Sequence, residues 1–270
     1  MTPWPVLTKF RKIGARLKHT RIYDKRIEYQ LQEIAILRKV ADAFSIDCIF
    51  DIGANQGQYG RMLRREVGFP GKIVSVEPNP ETFCVLRKNS EFDEKWHSEN
   101  IALAGHDGEQ CLSIMAGHQF TSLSRPIATT VAHVSNLNTV AKRIKVPVKT
   151  LKTFYLETKS TLHFTRPFLK MDTQGYDAVI AQSAGETIRQ FIGIQTELSF
   201  VRLYSDSIPF QESFDLYNRL GFTLCAIVPN NAGHFPYLIE QDAIFINDDF
   251  LDSCSSIRKR SSRLMAFASR

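Results

Sequence analysis

The sequence predicts an α/β fold: a Rossmann-like, mostly parallel sheet with helices on both faces. Three observations carry this expectation. From Asp47 onward, short apolar runs alternate with segments of helical period, which is the pattern of successive βαβ units. The first run, "CIFDIG", exits into the glycine-containing turn "GANQGQYG". The second, "GKIVSVEP", ends on an acid and a proline, Glu77 and Pro78.

Before the alternation begins, Val6, Leu7, Phe10, Ile13 and Leu17 recur at roughly helical spacing among lysines and arginines, predicting a short basic amphipathic stretch. Tyr29 to Phe44 reads as a second helix, with Leu31, Ile34, Leu37 and Val40 on one face. After the first strand, "GQYGRMLRREV" is helical. "PETFCVLRKNSEF" follows the second strand as a helix, with Pro80 in its first turn. "HSENIALAG" is a third strand. "EQCLSIMAG" and "RIKVPVKTL" are further strands, separated by a long polar loop of the kind that is usually functional or mobile. The alternation resumes with "PFLKMDTQG" (strand), "YDAVIAQSA" (helix capped by Gly185), "FIGIQTELSF" (strand), "FQESFDLYNRL" (helix ended by Gly221), "FTLCAIVP" and "DAIFIN" (strands). The predicted organisation is a basic helical extension over 1–44, one domain over 45–250, and a basic tail over 251–270.

Composition narrows the function classes. No apolar run approaches the ~20 residues of a spanning helix. The N-terminal stretch lacks the apolar block of a secretory signal. Cys48, Cys84, Cys111, Cys225 and Cys254 form no C-x-x-C pair, so zinc is not expected, and a dispersed odd set suits a reducing cytoplasm. The net charge of +6 resides at the ends: residues 1–40 carry +7, residues 251–270 carry +4, and the body between them −5. An acidic body speaks against a broad nucleic-acid cleft. The basic ends read first as solvated helices, and leave peripheral contact with an anionic membrane open. No oligomeric state follows from the sequence.

In open parallel sheets, ligands bind beyond the carboxyl ends of the strands. The turn there reads G-x-x-x-G-x-x-G over Gly53, Gly57 and Gly60. It is neither the dinucleotide fingerprint nor a P-loop. Gly53 and Gly57 are expected to turn the backbone and let it approach a ligand closely. Asp51, two residues earlier, suits an ammonium group better than a pyrophosphate. Glu77, 24 positions after Gly53, is placed to accept from a ribose diol. These features favour S-adenosylmethionine as ligand. An NAD- or nucleotide-sugar-binding enzyme, and a membrane- or nucleic-acid-binding module on the same fold, remain the alternatives.

"FDIGANQGQYG", "SVEPNPETFCVLRKN", "NIALAGHDGE", "FLKMDTQGYDAVI" and "IQTELSFVRLY" occur in that order. Together they resemble the FkbM family of S-adenosylmethionine-dependent methyltransferases over roughly residues 47–247. The resemblance implies a seven-stranded sheet with an antiparallel last strand. It also implies O-methylation of a hydroxyl on a sugar, glycan or glycosylated metabolite. By the same resemblance, Asp51, Gly53, Asn55 and Gly57 would hold the methionine moiety, and Ala54 and Tyr59 belong to the same cofactor-binding set. Glu77 would bind the ribose, with Pro78 and Asn79 shaping its loop, and Ala102 and Leu103 would flank adenine. Where the family commonly has Gly-x-Glu, this chain has Asp177, read as a helix first-turn acid.

A sugar hydroxyl is a poor nucleophile, so a general base would help it. Asp172, leaving the fourth strand of the parallel series, is the first candidate; holding the turn or the donor's ammonium is its competing role. Lys170, on the same strand face, would pair with Asp172 and keep it ionised. Glu197 is the second candidate base. His118, His133, His163 and His234 read as ordinary surface or core residues, although His118 and His234 lie in loops that could cover an acceptor. Phe120, Phe235 and Tyr237 could stack on a sugar face. No metal is assigned; a metal-dependent variant would draw on Asp172, Glu197 and nearby oxygens.

Overall fold

The structure is a computed structural model that describes residues 30–116, 121–127, 139–228 and 238–251. The basic amphipathic stretch, the basic tail, His118, His133, His234, Phe120, Phe235 and Tyr237 lie outside the described residues.

In chain order the elements are α1 (Leu31–Phe44), β1 (Cys48–Ile52), α2 (Gln58–Met62, continued by a π-helical turn Leu63–Val67), β2 (Lys72–Val76), α3 (Pro80–Ser90), β3 (Trp96–Glu99), β4 (Ala102–Leu103), β5 (Gly108–Met115), β6 (Val140–Lys149), α4 (Leu151–Leu162), β7 (Pro167–Met171), α5 (Asp177–Ser183), β8 (Gly193–Ser199), α6 (Phe210–Arg219), β9 (Phe222–Val228) and β10 (Glu240–Asn247). Seven strands form one sheet in the order β3-β2-β1-β7-β8-β10-β9. Within it β1 is parallel to β2 and β7, β2 to β3, and β7 to β8. The last strand, β10, runs antiparallel to both β8 and β9, as expected.

Strand alternation sorts side chains onto two faces. Phe50, Ile52, Val76, Leu169, Met171, Ile194 and Phe245 pack under α4, α5 and α6. Phe50 sits in an aromatic cage of Phe154, Tyr155, Phe164 and Phe191, with centroids 5.3–6.2 Å away. On the other face Ile49, Ile73, Phe168, Ile244 and Ile246 pack with Ile34 and Leu37 of α1, Met62 and Leu63 after β1, and Trp96. Helix α1 therefore lies directly on the sheet.

Two local readings need correction. "HSENIALAG" is two strands. The chain turns at Asn100, whose side-chain amide donates to the carbonyls of Glu77 and Pro78, and Ala102–Leu103 leaves the large sheet to pair with β6. With β5 this makes a second sheet, β4-β6-β5. "RIKVPVKTL" ends sooner as a strand. Thr150 caps α4 by accepting from Thr153 N, and this twelve-residue helix was not foreseen. Gly185 follows Ala184, the C-cap of α5, at φ +53°, the left-handed position that ends a helix, and it also opens a 3₁₀ turn, Gly185–Gln190.

Candidate active site

A cavity of about 410 Å³ opens at the carboxyl edge of β1, β2, β7 and β8, where parallel sheets bind ligands. Because β10 is antiparallel, its amino-terminal end, Glu240 and Asp242, reaches the same edge. Leu112 of β5 and Thr121, Ser122 and Leu123 wall it from the second sheet's side, and Gln30 and Glu33 wall it from α1. Ser122 Oγ donates to the carbonyls of Gln174 (2.8 Å) and Thr173 (3.2 Å), holding that wall against the turn after β7.

The glycine turn is built differently from the sequence reading. Gly53 has φ +79° and Gly57 φ +82°, so both supply the expected left-handed backbone. Their missing side chains face protein, and it is the backbone of Gly53 that borders the cavity. A Cβ on Gly53 would lie 2.0 Å from the Asp172 carbonyl oxygen; one on Gly57 would lie 2.9 Å from Leu86 Cδ1. The glycines thus let the turn nest against β7 and α3. Gly53 N and Ala54 N both donate to the Val76 carbonyl, fixing the turn to the end of β2. Gly53, Ala54, Asn55 and Tyr59 line the cavity, whereas Gly57 does not.

Glu77 occupies the position expected of a ribose acceptor. Its Oε2 accepts from Asn55 N and its Oε1 from Asn79 N, both at 2.9 Å. Asn79, buried, caps α3 by accepting from Glu81 N. A carboxylate has about four acceptor positions, so two remain, and Glu77 and Pro78 line the cavity. Burial pushes the Glu77 carboxyl up to about 7 against the pull of these two N–H groups. Ile52, Val76, Ala102, Leu103 and Leu112 give an apolar slot beside it. An acid with spare acceptors next to an apolar slot fits an adenosyl group. Leu112 was missed because β5 belongs to the second sheet.

Asp51 does not reach the cavity. It is wholly buried, so the expected contact with an ammonium ligand gives way to an internal one. Lys170 Nζ lies 3.2 Å from Asp51 Oδ1 and 3.5 Å from Asp172 Oδ2. Ser75 Oγ donates to Asp51 Oδ2, and Trp96 Nε1 donates to Ser75 Oγ. Asp51 is paired across the sheet with Ser75 on one side and Lys170 on the other, and Lys170 with Gln195. The four form one polar row across β2, β1, β7 and β8. Burial alone would lower the Lys170 ammonium; Asp51 and Asp172 outweigh it and hold the ammonium above its ordinary value.

Lys170 and Asp172 both line the cavity. The Asp172 side chain is 42% exposed and accepts from Gln174 Nε2 at 3.0 Å. Gln174 is itself held by the Tyr204 hydroxyl. Asp177 opens α5 as a first-turn acid, accepting from Thr173 N, Thr196 Oγ1 and Glu197 N. Glu197 faces the cavity, and burial, then the nearby Glu240, raise its carboxyl well above the usual range. Glu240 is raised to about 7, chiefly by burial. Glu33, Glu240 and Asp242 were missed by sequence reasoning. The available signal was the alternation of the last strand, which puts Asp242 on the face of Ile244 and Ile246.

No curated protein sequence matches the chain. Among solved structures it resembles an FkbM methyltransferase from Methylobacillus flagellatus (12% identity, 74% of this chain and 43% of that one, TM-score 0.44). It also resembles the Methanococcus jannaschii fibrillarin pre-rRNA processing protein (10%, 82% and 76%, TM-score 0.47). A third is magnesium protoporphyrin IX methyltransferase of Synechocystis PCC 6803 with bound S-adenosylmethionine (7%, 89% and 91%, TM-score 0.41). The chain spans less than half the length of the Methylobacillus protein. The family model described as the methyltransferase FkbM domain matches residues 51–224, from the buried acid of β1 into β9. The chain belongs to the FkbM family of methyltransferases, with S-adenosylmethionine as its cofactor.

Proposed function

We propose that the protein is an O-methyltransferase that modifies a hydroxyl of a sugar, glycan or glycosylated metabolite. When bound, S-adenosylmethionine supplies an electrophilic methyl group on a sulfonium. Glu77 would hold the ribose, and Ala102, Leu103 and Leu112 the adenine. The protein's remaining tasks are to position the acceptor and take its proton. Positioning alone accounts for up to roughly 7–11 kcal/mol in model reactions. Asp172 at the cavity wall, 3.5 Å from the Lys170 ammonium, is the observation that carries this reading. The ion pair with Lys170 and the hydrogen bond from Gln174 Nε2 fix the orientation of this half-exposed carboxylate at the cavity wall. Glu197, raised by burial, tends to keep its proton and suits hydrogen-bond donation to the acceptor. Of the described cysteines, Cys48 is buried and Cys84, Cys111 and Cys225 are exposed, all as free thiols; this supports a reducing, cytoplasmic setting.

The test is Asp172→Asn, assayed with labelled S-adenosylmethionine against a panel of sugars and glycosides. Turnover should fall by about 10²–10⁴ while affinity for S-adenosylhomocysteine stays within about threefold of wild type. Loss of that affinity would assign Asp172 to holding the donor, and full turnover would remove it from the chemistry.

A further inference from the structure

Lys170 lies within ion-pair distance of Asp51 and Asp172 and acts at longer range on Glu33 and Asp242. On the side of α1, β8 and β10, Glu33 and Asp242 have no direct ion-pair partner among the described residues. They are brought together by one buried nitrogen: Gln195 Nε2 donates to Glu33 Oε1 at 2.7 Å and to Asp242 Oδ2 at 3.3 Å. Gln195 Oε1 in turn accepts from the Tyr59 hydroxyl at 2.9 Å, so the amide cannot rotate without losing three bonds. Glu33 is more than nine-tenths buried, at 8% exposure. Its Oε2 has no hydrogen-bond partner among the described residues, and the side chain lines the cavity. This oxygen is therefore open to the cavity and able to accept from a ligand's donor.

We propose that this wall is a subsite for a protonated amine carried by the acceptor, held by Glu33 and Asp242 on either side of the Gln195 amide. The proposal rests on the reading of the cavity as a joint donor and hydroxyl-acceptor site, and adds an acceptor class to it: hydroxylated compounds that also bear an ammonium group. Three arguments select that ligand. Among the described residues no three His, Cys, Asp or Glu side chains converge as metal ligands, so the charge suits a bulkier organic cation. The adenosyl-binding features lie at β1 and β2, whereas Gln195 and Asp242 lie on β8 and β10, beyond the intervening β7. This places the wall on the acceptor's side. Glu33 and Asp242 also lie on α1 and β10, outside the stretch matched by the family model, on the side of the cavity away from the adenosyl-binding features. Burial raises both carboxyls from their ordinary range, and an ammonium between them is what would favour their ionised forms.

The experiment uses the full chain and ethanolamine, the smallest probe with both a hydroxyl and a protonated amine, with ethylene glycol as its neutral counterpart. Each is titrated calorimetrically into free protein and into protein saturated with S-adenosylhomocysteine. Ethanolamine should bind saturably at millimolar concentration, and ethylene glycol should not. Glu33→Gln and Asp242→Asn should each weaken ethanolamine by about tenfold or more, with S-adenosylhomocysteine affinity unchanged as proof of an intact fold. Equal binding of ethanolamine and ethylene glycol, or no effect of either substitution, would overturn the proposal. So would weakening of S-adenosylhomocysteine by Glu33→Gln with 5′-methylthioadenosine unaffected, because the amine would then be the donor's. Failure of wild type to bind S-adenosylhomocysteine would count against the donor site, while the ethanolamine titration of free protein still decides the subsite.

Discussion

Glu77 links donor binding to pH in a way that can be worked through from its contacts. Both of its oxygens already accept a backbone N–H. The lone pairs left for a proton are the ones that would meet the ribose hydroxyls, so proton and ribose compete. With the carboxyl titrating at about 7, the ionised fraction falls about tenfold between pH 8 and pH 6. The sign follows directly: lower pH, fewer acceptors, weaker binding. The dissociation constant of S-adenosylhomocysteine should therefore rise about tenfold from pH 8 to pH 6. At pH 7, calorimetry in buffers of different ionisation enthalpy should show release of about half a proton per ligand bound. Glu77→Gln should bind more weakly and lose most of this dependence, since an amide does not titrate and would set an NH₂ against a backbone N–H. Glu240 also titrates at about 7, so Glu240→Gln is the control and should keep the slope. A flat profile in wild type, or an unchanged slope in Glu77→Gln, would refute the ribose assignment.

Gly53→Ala combines φ +79° with a Cβ 2.0 Å from the Asp172 carbonyl oxygen, and should cost more than about 3 kcal/mol in urea denaturation; a midpoint equal to wild type would contradict the packing described. Lys170→Met leaves the Asp51 carboxylate buried without its cation, a change worth about 3–5 kcal/mol. The double variant Asp51→Asn/Lys170→Met should recover much of that loss, and a purely additive cycle would count against the ion pair. Asn79→Ala removes the cap of α3 and should cost about 1 kcal/mol, seen as a drop of a few degrees in Tm. Because Glu77 is held by the Asn79 backbone N–H rather than its side chain, S-adenosylhomocysteine affinity should change little.

The sequence carried the large sheet because each strand is a short apolar run ended by a turn residue, and such runs have few other uses. It pointed to Glu77 as a cavity-lining acid because position at a strand end determines what an acid can touch. It misjudged Asp51 because chain spacing says that an acid precedes the turn, but not whether its side chain faces ligand or protein. That choice depends on Lys170, more than a hundred residues later. Helix α4 was hidden by its polar composition, although Leu151, Phe154 and Tyr155 stand at the spacing of one buried face. Glu33, Gln195 and Asp242 come from three distant segments, and only the strand order brings them to one nitrogen.

The polar row of Ser75, Asp51, Lys170 and Gln195 has a bearing on how the sheet assembles. Parallel strands drawn from remote parts of the chain can pair one residue out of step, and each slip turns every side chain to the opposite face. Here a slip of β7 along β1 would drive the Lys170 ammonium into the aromatic cage around Phe50 and strand the Asp51 carboxylate alone in the interior. Apolar neighbours such as Ile49 and Phe168 tolerate exchange far better than a buried charge tolerates losing its counter-charge. The row thus marks the one alignment in which four strands fit, so the groups that set the electrostatics of the cavity also act as the ratchet that fixes the sheet beneath it.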